Sequence, residues 1–238
     1  MSIDGLSVFA LVPARGGSKG IPGKNLRPVA GLSLIGHTAK VLKQLDWLDA
    51  ALLSTDDDAI AAEGLRHGLE VPFRRPAELA GDDARSVDVW RHAWLAAEEL
   101  HGRRYELSIL AEPTSPLRRV EDMTVTIRAL IDSQASAAAT ISPTPAHFSP
   151  HKTLTIGENG RIGFYLSEGA GYANRHSIPR YYHRNGACYA ARRISVVERL
   201  EIINRDAVPV VIDRPLVNID DPLDLEWAEF LMRREGVR

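Results

Sequence analysis

The amino-acid sequence predicts a three-layer α/β fold, a mostly parallel sheet with helices on both faces. Two observations carry that expectation. Short β-branched or apolar runs alternate along the chain with longer helical patterns, the order that strand–helix–strand crossovers impose. The first run, "LSVFALVPA", is almost continuously apolar, as a strand covered on both faces has to be. At 238 residues the chain can bury a sizeable core as one domain.

Each element follows in order. Residues 6–14, "LSVFALVPA", form the first strand, and "SLIGHTAKVLKQLDWL" (33–48) forms a helix with Leu34, Ile35, Val41, Leu42 and Leu45 on one side. "DAALLSTD" (49–56) is a second strand, and Asp56 to Asp58 supply a cap and an acidic first turn for "AIAAEGLRHG". "LEVPFRR" (69–75) is read as a third strand. The helix "SVDVWRHAWLAAEELHG" turns Trp90, Trp94 and Leu95 inward and stops at Gly102. Strand "LSILAEP", helix "VEDMTVTIRALIDSQ" and strand "SAAATISPT" come next.

From Pro143 to Arg180 this rhythm breaks. Turn signals at "GENG" and "EGAG" separate short strand-like runs, and Phe164, Tyr165 and Leu166 need a covering surface. A long excursion in a compact domain is usually functional. Residues 1–238 are therefore expected to form a single domain with 143–180 as an inserted arm. The α/β pattern resumes in "NGACYAARR", "VPVVIDRPL" and the helix of "DPLDLEWAEFLMRRE".

Composition excludes several classes. A formal net charge of −2 argues against nucleic acid or an anionic membrane as partner, so any basic site must be local. No apolar run reaches the roughly 18 residues of a spanning helix. The first residues lack a basic start and a long apolar centre, so a cytoplasmic location is expected. With one cysteine, Cys188, an internal disulfide and a cysteine zinc site are both excluded; a buried small apolar role is expected.

The strongest local signal is "LVPARGGSKGIPGKN" (11–25), a strand end followed by glycines and by Arg15, Lys19 and Lys24. Backbone N–H groups at a sheet's carboxyl edge present themselves to anions there, and Gly16 and Gly17 let a phosphate approach the chain. A Walker A loop would need Gly at Ser18 and Ser or Thr at Asn25. The dinucleotide fingerprint fails because Ser18 or Lys19 stands where its second glycine belongs.

What remains resembles the signature loop of the acylneuraminate cytidylyltransferases, which activate sialic-acid-type sugars as cytidine monophosphate esters. Further matches fall in family order: "STDD" at 54–57, "RRPAELAGDDARS" at 74–86, "PTSPLR" at 113–118, "SPHKTL" at 149–154, "NRHSIPRYYHRNGACY" at 174–189 and "NIDDPLDL" at 218–225. The resemblance implies a Rossmann-like nucleotidyltransferase with a dimerisation arm, a homodimer, CTP and a sugar acid as substrates, and Mg²⁺ as cofactor. It places Arg15, Lys24 and Asp220 in catalysis. It places Arg15, Gly16, Gly17, Ser18, Lys24, Asn25, Arg75 and Ser86 around the nucleotide, with Arg75 and Ser86 by the cytosine. Arg75 is alternatively a partner for Glu78 or Asp82.

The sugar side is implied to use Lys152, Arg175, His183, Asn185 and Glu112. Three positions depart from the family pattern. Asn218 and Asp220 match two metal-binding aspartates, so one charge is lost at Asn218, and weaker metal affinity follows. His183 stands where many relatives carry Arg; a surface histidine is the alternative. Glu112 replaces a Gln. A carboxylate only accepts hydrogen bonds, so Glu112 either selects a sugar rich in donors or pairs with Arg118 or Arg119.

Other constellations are weaker. His147 and His151 lack a third ordered ligand and read as loop histidines, His37 reads as helix surface or packing, and no "GxSxG" elbow is present. Two further readings stay open: nucleotidyl transfer with another base or a sugar phosphate, and a non-catalytic nucleotide-binding relative.

Overall fold

In the computed structural model, which describes residues 3–172 and 177–236, strand β1 (Val8–Pro13) is the second strand from one edge of a six-stranded sheet. It pairs in parallel with β4 (Ala50–Ser54), Phe9 opposite Ala50, and in parallel with β5 (Leu107–Leu110), Val8 opposite Leu107. Beyond β5 come β9 (Tyr182–Arg192), β6 (Ala137–Pro143) and β10 (Val208–Val211). The sheet is mostly parallel, but β9 runs antiparallel to β5, Leu107 opposite Arg192. The chain returns to β9 from the segment after β6, not through a helical crossover, and an antiparallel pair needs no crossover.

The pleat sends alternate β1 side chains to opposite faces. Val8, Ala10 and Val12 pack with Ile35 and Ala39 of α1 (Leu34–Leu42), Ile60 of α2 (Asp58–Arg66), and Met123 and Ile127 of α4 (Val120–Asp132). Phe9 and Leu11 pack on the other face with Val87, Trp90 and Trp94 of α3 (Ser86–His101). Phe9 meets Trp94 edge to face at 5.2 Å. These contacts make the three layers, and removing a fully buried Trp ring from such a core costs about 3–5 kcal/mol.

Helix boundaries follow the expected signals. Asp57 caps α2, its Oδ1 accepting from the Ile60 N–H at 2.9 Å. Gly102 ends α3 at φ 59°, and Asp221 caps α5 (Pro222–Arg234) in a capping box with Asp224. Three sequence expectations change. "LEVPFRR" is not a strand: only Glu70 bridges to Leu52, and Pro72 has no N–H to continue a ladder. α1 stops at Leu42, and a two-stranded hairpin, β2 (Pro28–Val29) with β3 (Leu32–Ser33), leads into it. Leu95 is half-buried, outside the core that Trp90 and Trp94 share.

The chain divides into two compact units, Met1–Thr140 with Asn185–Val210 and Arg214–Arg238, and Ile141–Arg184 with Val211–Asp213. The second unit carries a hairpin, β7 (Leu154–Ile156) with β8 (Ile162–Phe164). Its small interior is built on His151, which is buried, meets Tyr172 edge-on with ring centres 4.2 Å apart and is hydrogen-bonded through Nδ1 to the Tyr181 hydroxyl at 3.0 Å. His147 instead rests on Phe148. Phe164 and Tyr165 are exposed. Among the described residues no helix is long and apolar enough to cross a membrane.

Candidate active site

The ends of β1 and β5 open onto a cleft of about 360 Å³, where a sheet's carboxyl edge characteristically binds ligands. The loop after β1 lines one wall with Arg15, Lys24 and Asn25. Its shape is fixed by contacts only glycine allows. A Cβ on Gly20 would stand 2.5 Å from the Asp220 carbonyl oxygen, so the loop lies directly against the 218–220 segment. Asn25 is buried and donates from Nδ2 to the Arg15 carbonyl at 3.0 Å, clasping the loop to itself. Lys24 donates to the Ile219 carbonyl at 2.8 Å and to Asp220 Oδ1 at 3.1 Å. Gly16, Gly17 and Ser18 are not among the lining residues, and the Gly16 N–H donates to Asp56 Oδ1 at 3.0 Å.

Arg75 forms a second wall together with Ser86, the first residue of α3. The arginine is 6% exposed, and its guanidinium donates to Ser54 Oγ at 3.0 Å and to the Ser54 carbonyl at 2.6 Å at the end of β4. No Glu78 or Asp82 pairing forms; the end of β4 aims the group instead. Burial, opposed by Asp56, pushes its pKa down to about 10, so the charge persists at neutral pH. Arg15 is different: it is half-exposed and pairs with Asp82 Oδ1 at 2.8 Å, while Lys19 reaches Asp82 Oδ2 at 2.5 Å.

The floor joins Glu112, Asn218 and Asp220. Gly186, at φ 70°, lets them crowd: a Cβ there would stand 2.8 Å from Glu112 Oε2, 2.7 Å from Ser115 Oγ and 3.6 Å from the Asn218 amide carbon. Arg118, wholly enclosed, ties this floor together. It donates to the carbonyls of Glu112, Gly186 and Ala187 and to Thr38 Oγ1, and burial pushes its pKa down to about 10. Arg119 pairs with Glu235 at 2.9 Å. Arg118 thus spends its hydrogen bonds on carbonyls and Thr38 while the nearby Glu112 charge acts on it through space, and Arg119 turns to Glu235. Asn185 is buried beside this floor, its Oδ1 accepting from Thr140 Oγ1 at 2.6 Å and its carbonyl from Ser115 Oγ at 3.0 Å.

Lys152 and His183 belong to the second unit. There the Lys152 ammonium donates to the Tyr172 carbonyl, and His183 Nδ1 lies 3.2 Å from Thr144 Oγ1. Arg175 lies outside the described residues. Cys188 is buried, its thiol pushed up to about 12 by burial, and His37 is buried with Nε2 2.7 Å from the Val29 carbonyl. Among the described residues no three His, Cys, Asp or Glu side chains are placed to hold a metal.

The donor set nevertheless fits Mg²⁺ bound with a phosphate ligand. Asp220 is 74% exposed, and the Asn218 amide lines the same cleft. One or two protein oxygens, with phosphate and water completing the shell, is how Mg²⁺ is usually held. Sequence reasoning missed two contributors. Arg118 looks no different in the letters from Arg119 beside it, and nothing there marks Asp82 as the partner of Arg15.

Residues 9–231 match the family model described as "Cytidylyltransferase". Over 232 residues the chain is 27% identical to Post-translational flagellin modification protein B of Campylobacter coli, covering 97% of each. It is also 27% identical to the CMP-N,N'-diacetyllegionaminic acid synthase of Legionella pneumophila, covering 95% of this chain and 97% of that one. A solved structure of CMP:2-keto-3-deoxy-manno-octonic acid synthetase complexed with CTP matches with a TM-score of 0.70, over 96% of this chain and 99% of that one. At 18% identity that match is one of fold.

Proposed function

The chain belongs to the cytidylyltransferase family, a class of nucleotidyltransferases, and from that premise we propose that it joins CTP to a nonulosonic acid, a 2-keto sugar acid of the sialic-acid type, with release of pyrophosphate. The observation that carries this reading is one cleft with a buried, backbone-aimed Arg75 on one wall and Arg15 and Lys24 on the other. Arg75 suits the base. A guanidinium only donates, so it favours cytosine, whose O2 and N3 both accept, over uracil, whose N3 carries a proton. Ser86 adds a hydroxyl beside it.

Arg15 and Lys24 face the triphosphate, Arg through a fork and Lys as a point charge. The anomeric hydroxyl of the sugar attacks the α-phosphorus, the bond to the β-phosphate breaks, and pyrophosphate leaves. The chain's work is to position the partners and neutralise charge. Lys24, already tethered to the 218–220 segment, holds the α-phosphate against that floor. Asp220 and Asn218 would hold Mg²⁺, which when bound supplies charge neutralisation to the phosphates. Lys152 and Arg175 suit the sugar carboxylate, Asn185 and His183 its other groups, and Glu112 its donors. The arm of residues 143–180 would act in a homodimer, in a cytoplasmic enzyme.

The replacement of an amide by Glu112, and of a carboxylate by Asn218, favours one second reading: the same transfer with another base or a sugar phosphate. Pyrophosphate release with Mg²⁺, crossing four nucleoside triphosphates with a panel of 2-keto sugar acids and sugar phosphates, separates the readings. The expected result is release with CTP and a sugar acid that presents several donors toward Glu112. Release only with another pair would support the second reading, and silence across the grid would contradict both.

A further inference from the structure

The cleft holds a carboxylate for which the transfer itself has no use. Asp82, on the loop before α3, is gripped through both oxygens, by Arg15 at 2.8 Å and by Lys19 at 2.5 Å. The hydrogen bonds from Lys19 and then Arg15 hold its carboxyl below the usual carboxylate range. Among the described residues the Arg15 guanidinium makes one further hydrogen bond, a long one to the Ala80 carbonyl at 3.4 Å. Lys19 stands on the same loop outside the cleft lining, and the other cations that line the cleft are anchored differently, Lys24 to the Ile219 carbonyl and Asp220, Arg75 to Ser54. One anionic group therefore spans the two loop cations that a polyphosphate would take.

We propose that Asp82 is a positioning residue that acts through Arg15 and Lys19 as an internal competitor for the pyrophosphate end of the nucleotide. The inference rests on the nucleotide reading of the cleft. Asp82 holds both cations in place while the cleft is empty, yields them to a polyphosphate, and takes them back as pyrophosphate departs. The chemistry allows the exchange. Lys19 is 82% exposed and Asp82 itself 45%, and exposed ion pairs in water are weak. A polyphosphate brings several charges and many acceptor oxygens to the same donors. CMP, with a single phosphate, makes no comparable claim on both cations, so the competition bears on pyrophosphate and spares CMP.

Calorimetric titration of inorganic pyrophosphate, CMP and CTP into wild type, Asp82→Asn and Asp82→Glu tests this, with melting temperatures confirming that each variant is folded. Asp82→Asn is expected to bind pyrophosphate roughly three- to tenfold tighter, with CMP affinity changed by less than about twofold. Asp82→Glu is expected to stay near wild type, and product inhibition by pyrophosphate is expected to strengthen in Asp82→Asn by the same factor. Unchanged or weaker pyrophosphate binding in Asp82→Asn, with wild type still binding, would overturn the proposal and leave the nucleotide site standing. Failure of wild type to bind either pyrophosphate or CTP would overturn the nucleotide reading, and this inference with it.

Discussion

The side chains of the cleft and those of the arm are held in opposite ways. Around the cleft, Lys24, Asn25, Arg75 and Arg118 each donate to backbone carbonyls of their own unit, so the polar groups are oriented before any ligand arrives. In the arm, the hairpin residues Leu154, Ile156, Ile162 and Phe164 stand exposed. Among the described residues of the arm, buried His151 with Tyr172 and Tyr181 makes a small interior, with Ser149 and Gly169 also buried. The difference teaches that the nucleotide half is preorganised within one chain, whereas the arm presents an apolar surface that suits a partner copy.

The largest effect should separate the two regions by stability. Trp94→Ala opens a cavity in the core and is expected to cost about 3–5 kcal/mol, while Ile156→Ser on the hairpin should cost less than about 0.5 kcal/mol in the monomer. Chemical denaturation measures both. Equal losses would erase the distinction. Light scattering sharpens it: Ile156→Ser is expected to shift the protein from dimer toward monomer, and a wild-type monomer at working concentration would remove the arm's proposed role.

Within the cleft, Asn218→Asp is expected to lower the Mg²⁺ concentration for half-activation by roughly tenfold, since a second charge joins Asp220. A magnesium titration with no shift would show that position 218 does not meet the ion. Glu112→Gln should act more mildly, changing kcat/KM among sugar acids by roughly three- to tenfold while CTP affinity stays level. An equal change for every sugar would detach Glu112 from substrate choice.

Much of the fold was legible because its strands are short apolar runs at a clear rhythm, and because the run Asp56 to Asp58 and Gly102 mark helix ends by their chemistry. "LEVPFRR" has the apolar residues of a strand, yet Pro72 has no N–H to continue a ladder, and the segment is mostly loop. The antiparallel direction of β9 was not legible, since no residue in it records which way the chain returns from the arm. In the site, Arg15, Lys24, Arg75 and Asp220 stood out by residue type and order. Arg118 and Asp82 did not, because their importance comes from partners distant in sequence: the Ala187 carbonyl for one, Arg15 and Lys19 for the other. Asn25, expected at the nucleotide, lines the cleft while its amide holds the loop closed.

The central claim is that the cleft is built for a cytidine nucleotide with Arg75 as reader of the base. The most direct test is calorimetric binding of CTP and UTP, without sugar, to wild type and Arg75→Gln. The account predicts that wild type binds CTP at least about tenfold tighter than UTP, and that Arg75→Gln loses roughly 10- to 100-fold in CTP affinity together with most of that preference. Equal binding of the two nucleotides by wild type, or a preference that survives in a folded Arg75→Gln, would contradict it.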